Sequence, residues 1–354
     1  MNRSKWIGSF KQIGRIVLAC LLALILGGLF LVTQGQSPFE CYYILFSKAF
    51  SSFDQVLRRM TPLVLTALAV AIPQKTGMLN LGGEGQIALG GLAAAIVGAY
   101  VALPMGLHPI VCMLAAAMGG GFAAWVAAVL RTKFGATEAV TTIMINSVIS
   151  YTLAYLTMYP LRASDTIPQT AMILESAEIL QPIEGQQWSL GLFIAILFCI
   201  AVKFFMDHTV LGLEMKSAGL SPLTAKFQGV NINRLAMLSM VLGGAMAGIG
   251  GSLEVLGGKH AYLNEYFLNY GWDGVAISYM AAGNPIGIIV ASLVMAMVRV
   301  GAAALERKSG VSIYFAVALQ GIIIVLMVCP HLITLINDAI SKLKQQKKAT
   351  KEVR

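Results

Sequence analysis

Asp207-His-Thr-Val-Leu-Gly-Leu-Glu-Met-Lys-Ser-Ala-Gly-Leu-Ser-Pro-Leu-Thr-Ala-Lys-Phe-Gln-Gly-Val-Asn-Ile-Asn-Arg234 is the stretch on which the reading of this chain turns. It is polar and separates two long apolar runs. Ser221 followed by Pro222 joins an N-cap hydroxyl to a first-turn residue with no amide to leave unpaired. Gly229 then supplies a stop, because helix ends favour a residue that tolerates positive φ. The spacing predicts a helix over Leu223–Gln228, about two turns long, with Lys226 exposed. Local chemistry leaves two readings open: a capped connector, or a stiff element placed where a partner can push it.

The rest of the composition says where such an element sits. Of 354 residues, 57% are hydrophobic and 12% charged, roughly half the charged fraction of a soluble domain, and mean hydropathy is +0.77. These values describe an all-α polytopic membrane protein. The net charge of +9 could suggest nucleic acid. However, the basic residues lie in short loops and at the two ends, the pattern of the positive-inside bias, and no nucleic-acid-binding signature is present. Cys20, Cys41, Cys112, Cys199 and Cys329 are scattered without metal or disulfide spacing, so they act as small apolar residues.

A span needs roughly 20 mostly apolar residues. Ile16–Val32 supplies the first, uncleaved because no small-x-small site follows it, behind a basic N-terminus over residues 1–15. Gln34–Arg59 is mixed and aromatic, as an interfacial amphipathic segment is. Met60–Pro73 is short and completes a span by recruiting Phe53–Leu57, which turns Arg58 and Arg59 toward protein or water. The Gly-rich break Gly77–Gln86 follows, then Ile87–Leu103 and Ile110–Leu130. Thr137 is positioned to cap the next helix, with Glu138 in its first turn.

Segment 160–189 is long and net acidic, which places it outside. Leu190–Val202 crosses back to segment 207–234. Leu235–Leu253 carries small residues four apart, Gly244 with Gly248 and Ala247 with Gly251, the spacing of a tight helix–helix seam. Asp273–Gly283 is apolar but too short to cross, and Asn284-Pro285 ends it. Ile286–Leu305 and Val311–Val328 precede a basic tail over 337–354. One transmembrane domain with both termini cytoplasmic and about ten crossings, some short or broken, accounts for the pattern. Arg299, Arg307 and Lys308 then fall near the outside, against the positive-inside rule.

Enzyme chemistry finds little support. There is no phosphate-binding G-x-x-x-x-G-K-[ST] loop and no H-E-x-x-H. The four histidines are isolated, no metal site is indicated, and Asp273 and Glu254 lie at span ends. The remaining polar groups within apolar surroundings are Asn80, Glu84, Gln86, Asn146, Ser147, Ser150, Tyr151 and Gln320. Such side chains face a bundle interior or a pathway. Asn146, Ser147 and Ser150 share one helical face. Glu84 is open to two roles, a helix-start carboxylate near the positive dipole end or a functional acid.

Thr76-Gly-Met-Leu-Asn-Leu-Gly-Gly-Glu-Gly-Gln86 resembles the signature of ABC-importer permeases of the branched-chain amino acid, ribose and nucleoside type. Ser217–Val230 with the following Gly243–Gly251 helix looks like that family's coupling loop and next span. Gly271-Trp-Asp-Gly-Val-Ala-Ile-Ser and Gly283-Asn-Pro-Ile-Gly287 match its late segment. The resemblance runs in order from about Met60 to Pro330, and Asn80, Glu84, Gly85 and Gln86 look most like the nucleoside or simple-sugar permeases; Gly83 stands where a larger apolar residue is usual.

The resemblance implies a type II-like importer permease in a bacterial plasma membrane. Gly219, Ser221, Pro222, Ala225, Lys226 and Gly229 would form the coupling element seated on a separate ATPase subunit, which alone would hold ATP and Mg; this chain would bind no cofactor. A second permease subunit, a different chain, would complete a pathway touched by Asn80, Glu84, Gln86, Asn146 and Ser150. A substrate-binding lipoprotein would dock on segment 160–189 and Gly257–Trp272. The substrate expected is a nucleoside, with ribose or galactose as the alternative. A stand-alone secondary transporter or facilitator is the reading from another class.

Overall fold

The computed structural model describes residues 24–309, without 34, 164, 165 and 184, together with 318, 321 and 322. The N-terminal segment 1–15, the start of the first span, Val311–Val328 apart from positions 318, 321 and 322, the tail 337–354, and Asp165, Glu184 and Gln320 lie outside the described residues. Within them the chain is helical, with a single isolated bridge between Gln169 and Leu263. It divides into two compact units, Ser47–Val300 and a smaller one of Met1–Phe46 with Gly301–Arg354.

In the smaller unit, α1 (Leu24–Thr33) and the start of α2 (Pro38–Ser51) bury Leu31 and Cys41 with Leu305. The Tyr42 hydroxyl donates to the Leu24 carbonyl at 2.5 Å. Along the start of α2, Phe39 and Tyr43 are exposed while Cys41 and Leu45 are buried, so the helix has one packed side and one aromatic, exposed side.

The larger unit begins with α3 (Phe53–Gln74), buried along nearly all of its second half. The aromatic segment read from Gln34 to Arg59 is therefore divided: its last residues belong to the α3 span and carry Arg58 into the bundle. Next come α4 (Gly83–Tyr100), α5 (Leu107–Phe134) and α6 (Glu138–Met158). Thr137 precedes α6 without a side-chain cap. Glu138 instead pairs with Arg131 at 3.1 Å, across a turn closed by Gly135 in the left-handed conformation and by the Gly135 and Ala136 amides donating to the carbonyls of Arg131 and Leu130. Segment 160–189 contains one 3-10 turn, Glu175–Ala177, and lies along the loop after α10. The amides of Thr170, Ile173 and Ile179 donate to the carbonyls of Tyr262, His260 and Leu256.

The chain continues with α7 (Gly191–His208), α8 (Val210–Leu220), α9 (Pro222–Phe227) and α10 (Ile232–Glu254). A π-helical turn, Val255–Lys259, then leads toward α11 (Tyr270–Met280) and α12 (Pro285–Ser309). Asn284 accepts from the Ile286 amide at 3.2 Å, and Pro285 opens α12 as first-turn prolines do.

The core of this unit is α10, packed on α5, α3 and α4. Small residues make that possible. Gly244 lies against the Gly120 carbonyl and Ala124, Gly248 against the Ala116 carbonyl, and Gly251 against the Ile87 carbonyl and Gly91. A β-carbon at any of these three would meet backbone, so the helices touch main chain to main chain. Six helices are long and apolar enough to cross a membrane among the described residues: α3, α5, α6, α7, α10 with its π turn, and α12. α4 equals the shortest of these in length but opens with Glu84 and Gln86.

Candidate functional site

Two regions carry the polar chemistry. The first is the break between α3 and α4. Lys75–Gly77 turns the chain, with Gly77 at φ 75°, and the backbone from Met78 to Gly82 is non-helical. Unpaired backbone there would be costly in an apolar medium, and side chains satisfy it. Asn80, fully buried, donates to the Ala69 carbonyl at 3.0 Å and to Gln86 Oε1 at 2.9 Å, while Gln86 Nε2 donates back to Asn80 Oδ1 at 2.9 Å. The Gly82 amide also donates to Asn80 Oδ1. From α6, Asn146 donates to the Leu81 carbonyl and accepts from the Gly85 amide, each at 2.9 Å. Asn80, Gln86 and Asn146 are thus occupied in shaping the break.

Glu84 and Ser150 have a different setting. Both line a cavity of about 110 Å³ whose walls also include Tyr151, Tyr262, Asn264 and Phe267, together with Glu265. Glu84 Oε2 accepts from the Asn269 amide at 3.3 Å, so this acid of the first turn of α4 reaches across to the loop before α11. Gly271 and Gly83 bring the two backbones into contact. Glu265 and Asn269 both hold positive φ, 59° and 68°, uncommon for residues with a β-carbon. Ser147 is exposed and is not among the residues of this cavity. The aromatic residues of the 262–268 loop gave no motif in the sequence; only their density in a short polar loop marks them.

Two ion pairs brace the same part of the bundle. Arg58 of α3 donates to Glu254 Oε1 through Nε at 3.0 Å and Nη2 at 2.6 Å, and the Tyr266 hydroxyl donates to the same oxygen at 2.6 Å. Gln187 of segment 160–189 accepts from Arg58 as well. Asp273 of α11 pairs with Arg299 of α12, whose guanidinium lies 4.4 Å from the Tyr270 ring centroid. Asp273 and Glu254, both at span ends in the sequence, are therefore each matched to an arginine on another helix.

The second region is α7–α10 around the opening stretch. Thr209 caps α8 by accepting from the Gly212 amide at 3.1 Å. Ser221 ends α8 and caps α9, accepting from the Thr224 amide at 3.4 Å, and Gly229 stands at φ 83°. Asn231 caps α10 at 3.0 Å. The sequence reading placed the α9 helix but not α8 before it. Ala225 is buried, Lys226 is exposed, and Leu220, Leu223 and Phe227 are 88%, 68% and 84% exposed. Gly219 at the end of α8 packs on the Lys75 carbonyl and the Gly77 amide, so this module touches the turn that begins the first region. Asp207 holds Lys203 and Lys216. Burial, with Lys216 and Lys203 close by, lowers the Lys75 ammonium below its ordinary value. No cluster of three or more metal-ligating side chains occurs among the described residues.

The profile of the family described as the permease component of branched-chain amino acid transport systems matches residues 52–328. A guanosine ABC transporter permease of Bacillus subtilis, NupP, is 28% identical over 304 residues, covering 83% of this chain and 87% of its own. A glucose ABC transporter permease of Haloferax volcanii, TsgB13, is 30% identical over 93% of this chain and 90% of its own. A nucleoside ABC transporter permease of Lactococcus lactis, NupB, is 28% identical over 81% and 82%. No solved structure matches the chain.

Proposed function

Since the chain belongs to the permease-component family of branched-chain amino acid transport systems, and is a multi-pass plasma-membrane transport protein and not a catalyst, we propose that it is the membrane subunit of an ATP-driven nucleoside importer. Relatives named for guanosine and for nucleosides, alignable over four-fifths or more of this chain, support the cargo. Glucose is the second reading, supported by the 30% identical permease that covers 93% of the chain. Nucleosides and glucose share a ring bearing adjacent hydroxyls.

The observation that carries the ATP-driven part is the capped helix α9. Its apolar Leu223 and Phe227, with Leu220 beside them, project from the chain, held by Ser221 and Gly229. Exposed apolar side chains on a stiff, short helix suit a partner's groove. We read that partner as an ATPase subunit, which holds ATP and Mg. Both termini and α8–α9 face the cytoplasm in this reading, a substrate-binding lipoprotein docks on 160–189, and a second permease chain completes the pathway. Gly219, Ser221, Pro222, Ala225, Lys226 and Gly229 form the coupling element, while Glu84 and Ser150 border the pathway.

Reconstitution tests it. With ATPase, second permease and receptor, proteoliposomes accumulate adenosine against its gradient only when ATP is supplied to the ATPase side. Uphill uptake by this chain alone would establish a secondary transporter instead.

A further inference from the structure

We infer that the cavity between α4, α6 and the 262–268 loop is a subsite for the hydroxyl-bearing edge of the cargo's sugar ring, with Glu84 and Glu265 as the groups that read adjacent hydroxyls. The inference rests on the import reading above but not on the choice between its two cargoes. Both cargoes present the same feature to this wall.

The chemistry of the lining is that of a polyol site. Hydroxyls donating to carboxylates make charge-assisted hydrogen bonds, about twice as strong as neutral ones. Two carboxylates border one small space here. The Asn269 amide donates to one oxygen of Glu84, and among the described residues no hydrogen bond reaches the other. Asn264 and Ser150 add groups that both donate and accept. Tyr151, Tyr262 and Phe267 supply apolar faces against which the C–H side of a ring can lie. Tyr262 and Phe267 are themselves packed, with ring centroids 6.2 Å apart, so that wall is stiff.

Size limits the ligand portion. A cavity of about 110 Å³ has room for about four ordered waters, the space of a sugar's hydroxyl-bearing edge and not of a whole nucleoside. The base of a nucleoside then lies outside the cavity, which leaves base identity to other parts of the importer. Two carboxylates without a cation lining the same space also disfavour phosphorylated cargo, through like-charge repulsion.

The test uses the complete importer in proteoliposomes with its receptor. Uptake of adenosine is compared with 2′,3′-dideoxyadenosine, and of glucose with 2-deoxyglucose. The receptor's affinity for each is measured separately so that its own preference can be divided out. For the pair that is carried, the native chain favours the fully hydroxylated member by roughly tenfold, the scale of one hydrogen bond to a charged group. Glu84→Gln and Glu265→Gln each bring that ratio toward one. The Glu265 side chain is exposed, so its variant decides the matter if Glu84→Gln fails to assemble. Carriage of either cargo with a native ratio of one, or with a ratio unchanged in both variants, overturns the subsite and leaves the import reading standing. Carriage of neither cargo overturns both.

Discussion

Asp273, fully buried on α11, and Arg299, 13% exposed in the middle of α12, are partners in an ion pair. This explains a discord in the charge pattern. Counted as a loop residue, Arg299 opposes the positive-inside bias; as a bundle residue matched to a buried acid, it is outside that rule's scope. The pair also ties a helix too short to cross to one long enough to do so. Arg299→Met leaves Asp273 buried without its countercharge, a loss of about 3–5 kcal/mol. The double variant Asp273→Asn with Arg299→Met regains most of it. Thermal unfolding of the detergent-solubilised protein reads both; equal loss in single and double variants would show that the pair does not set stability.

The exposed apolar residues of α9 are the place to test coupling. Phe227→Asp and Leu223→Asp leave the helix and its cap in place, since both side chains project outward. ATP hydrolysis then proceeds without uptake, or the ATPase no longer co-purifies, while the amount of permease in the membrane is unchanged. Ala225 is a poorer probe because it is buried, and an acid there would disturb the module itself. Normal uptake in Phe227→Asp would remove α9 from the coupling role.

Gly248 sits on the Ala116 carbonyl. Gly248→Val forces α10 off α5, at about 1–3 kcal/mol or more, with a lower melting temperature and reduced yield. Met246→Val, at a half-buried position of the same helix, serves as the comparison for introducing a β-branched residue without the glycine contact. A melting temperature equal to the native one would mean that the seam is looser than described.

Asn80 and Gln86 make a reciprocal amide pair beneath the break. Asn80→Ala strands the Ala69 carbonyl, the Gly82 amide and Gln86 together, each buried polar group left unsatisfied costing about 1–3 kcal/mol. Because Gln86 follows Glu84 by two residues, transport falls along with stability. Gln86→Glu separates the effects: it keeps an acceptor but loses the donor to Asn80 Oδ1. Native transport and stability in Asn80→Ala would show that the break is held elsewhere.

Local chemistry made some of this legible from sequence. The Ser221-Pro222 start and Gly229 stop of α9 are written in residues whose preferences do not depend on the rest of the fold, and the small-residue spacing of α10 announces close approach. Helix α8 was not legible, because its apolar residues do not repeat with one clear face. The pairing of Arg58 with Glu254 and of Asp273 with Arg299 joins residues far apart in the chain. Sequence alone says that each charge needs a partner, not which one. The cavity was half visible: Glu84 and Ser150 stand out as polar residues among apolar ones. Tyr262, Glu265 and Phe267 enter it only because the loop after α10 folds back beside α4.

The main-chain contacts of α10 with α4 and α5 have a mechanical consequence. Helices separated by long side chains can slide as those side chains change rotamer, but carbonyls resting on glycine have no such bearing between them. Those three helices therefore travel together as a keel. Whatever rocks during a transport stroke must hinge along the borders of that keel, where side chains instead of backbones meet.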